Sequence, residues 1–269
     1  MAPSTLHIGI VGHGFIGAEL YRYLRSAEAA RLGLAPAFVH ARRPETLADV
    51  DAAHRLHALG DRLPGTPALV VEAAHPDITR DHGRAILRQA DYMPLSVSAL
   101  IDDALLAALR ETAEAHGTRL LLPTGALVGG HSLAATRERW SEVTVTFRKH
   151  PANIDFARLD IDPATITRET VVFDGPVREI AALFPRNVNT MVTCALATVG
   201  PDRCRGRLVA DPALDGVAFA EVEAKGRDGS EIRTVKRQPM VGVSGTEMFA
   251  SLLRSLRLGL ARCDAVDIV

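Results

Sequence analysis

Gly12-His-Gly-Phe-Ile-Gly17 is the first stretch whose residue types and spacing could do chemistry. In Gly-x-Gly-x-x-Gly the first glycine permits a tight turn, the second lets the backbone approach a pyrophosphate, and the third lets helix and strand pack closely. A helix opening there offers unpaired N–H groups and a partial positive charge to the phosphates. Gly12, Gly14, Phe15, Ile16 and Gly17 are therefore expected to bind a dinucleotide. The next apolar run ends at His40-Ala-Arg-Arg43, without the acid that would pair with a ribose 2′-hydroxyl. Arg42 and Arg43 instead suit a phosphate dianion, which points to NADP, or to use of both NADP and NAD. His75, after a later strand, is expected to form a wall near the cofactor, and Ala74 and Ser98 complete the cofactor-binding set. No metal is expected, because Cys194, Cys204 and Cys263 show neither CxxC nor Cys/His ligand spacing.

The elements that must position these residues follow from the apolar pattern. Leu6–Val11 reads as a strand buried on both faces, Ala18 to Ala30 as a helix with Leu20, Tyr23 and Leu24 inward, and Ala35–Val39 as the next strand. Ala68–Val71 is another buried strand, followed by a helix through Ala85, Ile86 and Leu87. Met93–Val97 reads as a strand weakened by Pro94, Asp102 to His116 as a helix stopped by Gly117, and Arg119–Leu122 as a strand. This alternation predicts an α/β fold, a Rossmann-type doubly wound parallel sheet over residues 1–123. Beyond it, Glu142–Phe147, Thr170–Phe173, Arg207–Ala210, Phe219–Ala224 and Glu231–Lys236 alternate apolar with polar residues, as strands of a half-exposed sheet do. With a helix over Asn189–Thr198 they predict a second, smaller α/β domain over 124–245, which would hold substrate. The helical spacing of Met248, Phe249, Leu252, Leu253, Leu256 and Leu260 predicts a C-terminal helix within 246–269 that packs back on the first domain.

Composition narrows the partners. The chain has 269 residues, 47% hydrophobic and 23% charged, with net charge −1. It is too apolar for disorder and too balanced in charge to attract nucleic acid or an anionic membrane. Aromatic residues make up 4%, so the basic and aromatic interleaving of single-strand binders is missing. No stretch approaches the roughly 20 apolar residues of a membrane span, and the first residues lack the pattern of a secretory signal. A reducing cytoplasm is the expected compartment.

Several stretches together carry a resemblance. Gly9–Gly17, Val71-Glu-Ala-Ala74, Ser96–Leu100, Leu122-Pro-Thr-Gly-Ala126, Phe184-Pro-Arg-Asn-Val-Asn189 and Ala210-Asp-Pro212 are similar to the L-aspartate dehydrogenase family over nearly the whole chain. The resemblance implies a Rossmann domain paired with a smaller α/β domain, a homodimer, and interconversion of L-aspartate and iminoaspartate with NAD or NADP. Iminoaspartate can feed NAD biosynthesis. It also implies that Ala126 and Asn189 contact the cofactor near the nicotinamide.

Two positions depart from the family. Counted without gaps, its acid/base histidine falls on Phe219, and the lysine of its Asn-Pro-Lys-Thr-Ser segment falls on Gly245 within Val243–Glu247. Hydride transfer still needs a proton route and a partner for the substrate's polar groups. His131, directly after the Thr124–Gly130 loop, is the first candidate for a substitute acid, and His150, in Arg148-Lys-His-Pro151, is the second. Arg148, Lys149 and Arg186 are the candidate cations for a substrate carboxylate. The leading expectation is an NAD(P)-dependent oxidoreductase acting on an amino or imino acid, aspartate by default, in a cleft between the domains. Its alternatives are a dehydrogenase of a less polar substrate and a non-catalytic dinucleotide sensor.

Overall fold

The computed structural model describes residues 4–241, 244–245 and 247–261. Cys263, with the end of the expected C-terminal segment, lies outside the described residues, as do Val243 and Thr246 of the departing motif. Two compact units divide the chain: one runs to Pro123 and resumes at Leu253, the other is Thr124–Leu252.

The first unit contains, in order, β1 (Leu6–Val11), α1 (Phe15–Leu24), α2 (Ala27–Arg31), β2 (Leu34–His40), β3 (Arg55–Leu56), β4 (Leu69–Glu72), α3 (Pro76–Leu87), β5 (Asp91–Pro94) and α4 (Asp103–His116). Its five strands form a parallel sheet in the order β3-β2-β1-β4-β5. Ile8, Ile10, Leu69, Val70 and Val71 are fully buried, which is why these strands read as continuous apolar runs. The expected Rossmann-type fold is present, with local differences. The helix expected from Ala18 begins at Phe15 and breaks after Leu24, where the Ser26 hydroxyl accepts from Ala29 N–H and starts α2. The strand expected over Met93–Val97 ends at Pro94, which has no N–H to continue a ladder, and a 3-10 turn over Val97–Ile101 follows. Arg119–Leu122 contributes only a single bridge, Leu120 to Tyr92.

The second unit contains α5 (Gly130–Ala135), β6 (Trp140–Lys149), β7 (Thr170–Pro176), α6 (Val177–Leu183), α7 (Asn189–Ala197), β8 (Cys204–Ala210), β9 (Val217–Gly226), β10 (Glu231–Val241) and β11 (Ser244–Gly245). The sheet order is β11-β10-β9-β6-β8-β7, with β6 and β8 parallel and the other pairs antiparallel. α6 and α7 pack on one face, where Ile180, Val177 and Met191 close over Gly206. Alternation along β6 sends Val143, Val145, Phe147 and Lys149 to the buried side and Thr144, Thr146 and Arg148 to the other. α8 (Met248–Gly259) follows, and the chain re-enters the first unit at Leu253, within this helix.

Candidate active site

In the first unit the glycine loop joins β1 to α1. Gly12 has φ +105°, and a Cβ there would lie 2.5 Å from the Ala73 carbonyl oxygen. A Cβ at Gly17 would come within 1.9 Å of the Gly12 oxygen, so this helix can sit against the loop only with glycine. Gly14, the N-cap of α1, differs from both. A Cβ there meets nothing within 4 Å, and no side chain caps the helix. An open backbone surface therefore faces the uncapped N–H groups of a ten-residue helix, which fits the pyrophosphate of a dinucleotide. Phe15 is exposed beside it and Ile16 half-buried. Arg42 and Arg43 follow β2, both exposed, with no acid paired to either guanidinium among the described residues.

Glu72, within the Val71–Ala74 stretch, had no role in the sequence reading. It ends β4 fully buried. Its carboxylate accepts from Ala74 N–H at 2.6 Å, Ser96 N–H at 3.0 Å and the Ser96 hydroxyl at 3.0 Å. The acid thus ties together the loops after β4 and β5, which carry Ala74, His75 and Ser98. Burial pushes its pKa up, with the hydrogen bonds from Ala74 and Ser96 acting the other way. His75 is the N-cap of α3, its Nδ1 accepting from Asp77 N–H at 3.3 Å, and Ser98 is buried in the 3-10 turn.

The second unit holds a small cavity of about 70 Å³ where the ends of β6, β9 and β10 meet the start of α7. Ala126, Lys149, Arg186 and Asn189 all line it, so four residues picked from three separate stretches of sequence share one pocket. Phe147, Met240 and Met248 supply apolar walls. The Thr190 hydroxyl accepts from Ala126 N–H at 3.3 Å and fixes the loop against α7. Lys149 is 6% exposed, with its ammonium 5.2 Å from the Phe147 ring centroid. Burial lowers its pKa from 10.5 to about 8. Arg186 stands at the rim, exposed and 3.1 Å from Asp155. Asn187 spends both ends of its amide internally, accepting from Asp155 N–H and donating to the Asn153 carbonyl. A larger open groove, about 430 Å³, lies at the other end of β6 around Thr144, Asp202 and Arg205, away from every candidate residue.

Three expected members stand elsewhere. His131 is exposed on α5 and does not line the cavity. His150 is the N-cap of the 3-10 turn Pro151–Asn153, its Nδ1 accepting from Ala152 N–H at 3.2 Å, a structural use of the ring. Arg148 leaves the opposite face of β6 from Lys149 and lies 3.5 Å from Glu169. Phe219 borders the cavity, but in register it pairs with Arg148 and Arg237, the row directed to that opposite face. Ala218, one residue earlier, pairs with Lys149 and Gln238 on the cavity side. A single-residue slip in the ungapped count thus changes the face on which the family histidine falls. Gln238 is a polar pocket residue that sequence reasoning missed; it directly follows Lys236 and Arg237 in a strand, with no motif around it, and only burial sets it apart from its exposed neighbours.

A parallel-sheet unit with this glycine loop, in one chain with a mixed-sheet unit holding a cationic pocket, defines a nicotinamide-dependent oxidoreductase. Comparison with known proteins narrows the class. The model described as aspartate dehydrogenase, C-terminal, matches residues 132–257, and that of the homoserine dehydrogenase NAD-binding domain matches 12–123. An aspartate dehydrogenase domain-containing protein of Xenopus tropicalis is 35% identical over 266 residues, 93% of each chain. The L-aspartate dehydrogenase of Methanosarcina acetivorans is 33% identical over 216 residues, 78% of this chain and 80% of that one. The solved aspartate dehydrogenase of Thermotoga maritima superposes with a TM-score of 0.75 at 25% identity, covering 98% of this chain and 99% of its own. The chain belongs to the aspartate dehydrogenase family. No helix among the described residues is long and apolar enough to cross a membrane.

Proposed function

We propose that this chain interconverts L-aspartate and iminoaspartate with NADP or NAD, and that Lys149 moves the proton. The observation that carries this reading is a buried lysine, held near neutrality, in the one cavity that also contains Ala126, Asn189 and Arg186. The bound nicotinamide supplies a hydride acceptor for the substrate Cα–H. Neutral Lys149 takes a proton from the substrate ammonium, freeing the nitrogen lone pair that becomes the second C–N bond as the hydride departs. In the reverse direction the Lys149 ammonium returns that proton. Arg186, at the rim, is placed for a substrate carboxylate in exchange for Asp155. The apolar walls limit water near the reacting carbon.

Arg42 and Arg43 favour NADP, since two exposed guanidinium groups suit a 2′-phosphate. A cytoplasmic homodimer completes the reading, on the strength of the family pattern. The test is steady-state L-aspartate oxidation followed from about pH 6 to about pH 10. The expected profile of kcat/KM rises through a pKa near 8, and Lys149→Met abolishes that limb. A wild type that leaves aspartate untouched sinks the substrate assignment, and a limb that survives in Lys149→Met sinks the role of the lysine. A binding-only sensor has no use for a lysine held near neutrality; tight NADPH binding without turnover of any amino or keto acid would restore that alternative.

A further inference from the structure

Gln238 occupies an unusual position for an amide. It is 6% exposed, on the cavity side of β10, and its Oε1 is buried with no hydrogen-bond partner among the described residues. Leaving a buried carbonyl oxygen unpaired is costly, so a native position that keeps one calls for a donor that the described residues do not supply. The register says where that donor would sit. Lys149, Ala218 and Gln238 form one row across β6, β9 and β10, all on the covered face. Lysine and glutamine Cα atoms are therefore about 10 Å apart across one intervening strand, with only the Ala218 methyl between them. Both residues line the same cavity, whose apolar walls are Phe147, Met240 and Met248.

We propose that Gln238 is a specificity residue for the amino group: its Oε1 accepts a hydrogen bond from the substrate nitrogen while Lys149 serves the proton. The inference rests on the reading of this cavity as the amino-acid site. It explains how a chain with alanine at the cavity-facing position of β9 still orients a substrate nitrogen between two polar groups. It also makes the pocket selective for amino acids over the matching acids that lack nitrogen, because those leave Oε1 unpaired.

The experiment compares L-aspartate with succinate, which carries both carboxylates and no amine. Each is titrated by calorimetry into wild-type protein saturated with NADPH, a pairing in which neither compound can react. Wild type is expected to bind aspartate more tightly than succinate, and Gln238→Leu to lower that preference by roughly tenfold or more with NADPH affinity unchanged. Gln238→Glu keeps an acceptor at the same place and is expected to retain the preference. Aspartate binding with no preference over succinate, or a preference that survives in Gln238→Leu, overturns the inference and leaves the assignment of the pocket standing. A preference lost equally in Gln238→Glu also overturns it, since it would mean that the amide donates to a carboxylate. Wild type that binds neither compound overturns the aspartate reading and this inference with it.

Discussion

The glycine loop of the first unit and the cavity of the second are built in opposite ways. The loop is local. Six consecutive residues, Gly12 to Gly17, set the turn, the close helix approach and the open phosphate face. The cavity takes Ala126 from a loop, Lys149 from β6, Ala218 from β9, Gln238 from β10 and Asn189 from α7. A function carried by consecutive residues is written as a motif, whereas one assembled across three strands is written only as alternation and register. Register is unforgiving, since one residue of slip moves a side chain to the other face.

The sharpest way to break this contrast is to remove the cavity's titratable group. Lys149→Met should cut aspartate turnover by about 10²–10⁴-fold while NADPH binding, measured by fluorescence, stays intact. The same variant carries a stability signature. The folded-state pKa of Lys149, about 8, lies below the ordinary 10.5, so the unfolded chain holds the extra proton between those values and wild-type stability rises with pH across that window. Below about pH 8 folding bears the whole cost of burying the ammonium. Lys149→Met is thus expected to be more stable than wild type at pH 7 in urea melts, with the advantage gone above pH 10.5. An advantage that grows with pH would mean that the lysine is not desolvated as described.

The loop is tested by two glycines with unlike surroundings. Gly14→Ala has open space, so the thermal midpoint should hold while dinucleotide affinity falls by roughly tenfold or more. Gly17→Ala meets the Gly12 oxygen and should instead destabilise the fold by roughly 2–4 kcal/mol. If both variants lose only affinity, the close helix approach is not what Gly17 provides. Arg42→Ala combined with Arg43→Ala should lower the NADPH to NADH affinity ratio by about 10–100-fold, and an unchanged ratio removes the argument for NADP. The smallest effect is the most pointed about register. Phe219→His should raise aspartate turnover by no more than about twofold, because an imidazole there leaves the face opposite Lys149. A larger gain would show that Phe219 does face the substrate.

Much of the first unit was legible because its strands are covered on both sides and its turns carry glycine, proline or capping residues. Some misreadings there were at boundaries, where Ser26 restarts a helix and Pro94 ends a strand early; others concerned whole elements, since Arg119–Leu122 gives a single bridge and the two-residue β3 was not read. In the second unit the strands were legible from alternation, but the short helices α5 and α6 were not, having too few turns to show a period. Lys149 was visible as a cation but not as a buried one, since burial depends on the strands beside it. His131 and His150 were chosen for chemical type and nearness in sequence, and tertiary placement put neither in the cavity. Glu72 shows the converse: its motif was in plain view, and only the hydrogen bonds to Ala74 and Ser96 reveal that it clasps two loops.

The return of the chain to the first unit at Leu253 has a consequence for how the protein is made. Arg119 donates to the Gly259 carbonyl at 2.8 Å, and Leu121 lies where a side chain at Gly259 would collide. During synthesis, Arg119, already paired with Asp91, and Leu121 meet Gly259 only more than a hundred residues later, with the whole second unit emerging in between. A fragment ending at Pro123 therefore lacks the Gly259 carbonyl that Arg119 bonds and the backbone that lies against Leu121. Truncation after the nucleotide-binding half is thus a poor way to isolate it, whereas joining Pro123 to Leu253 through a short linker restores the missing neighbour.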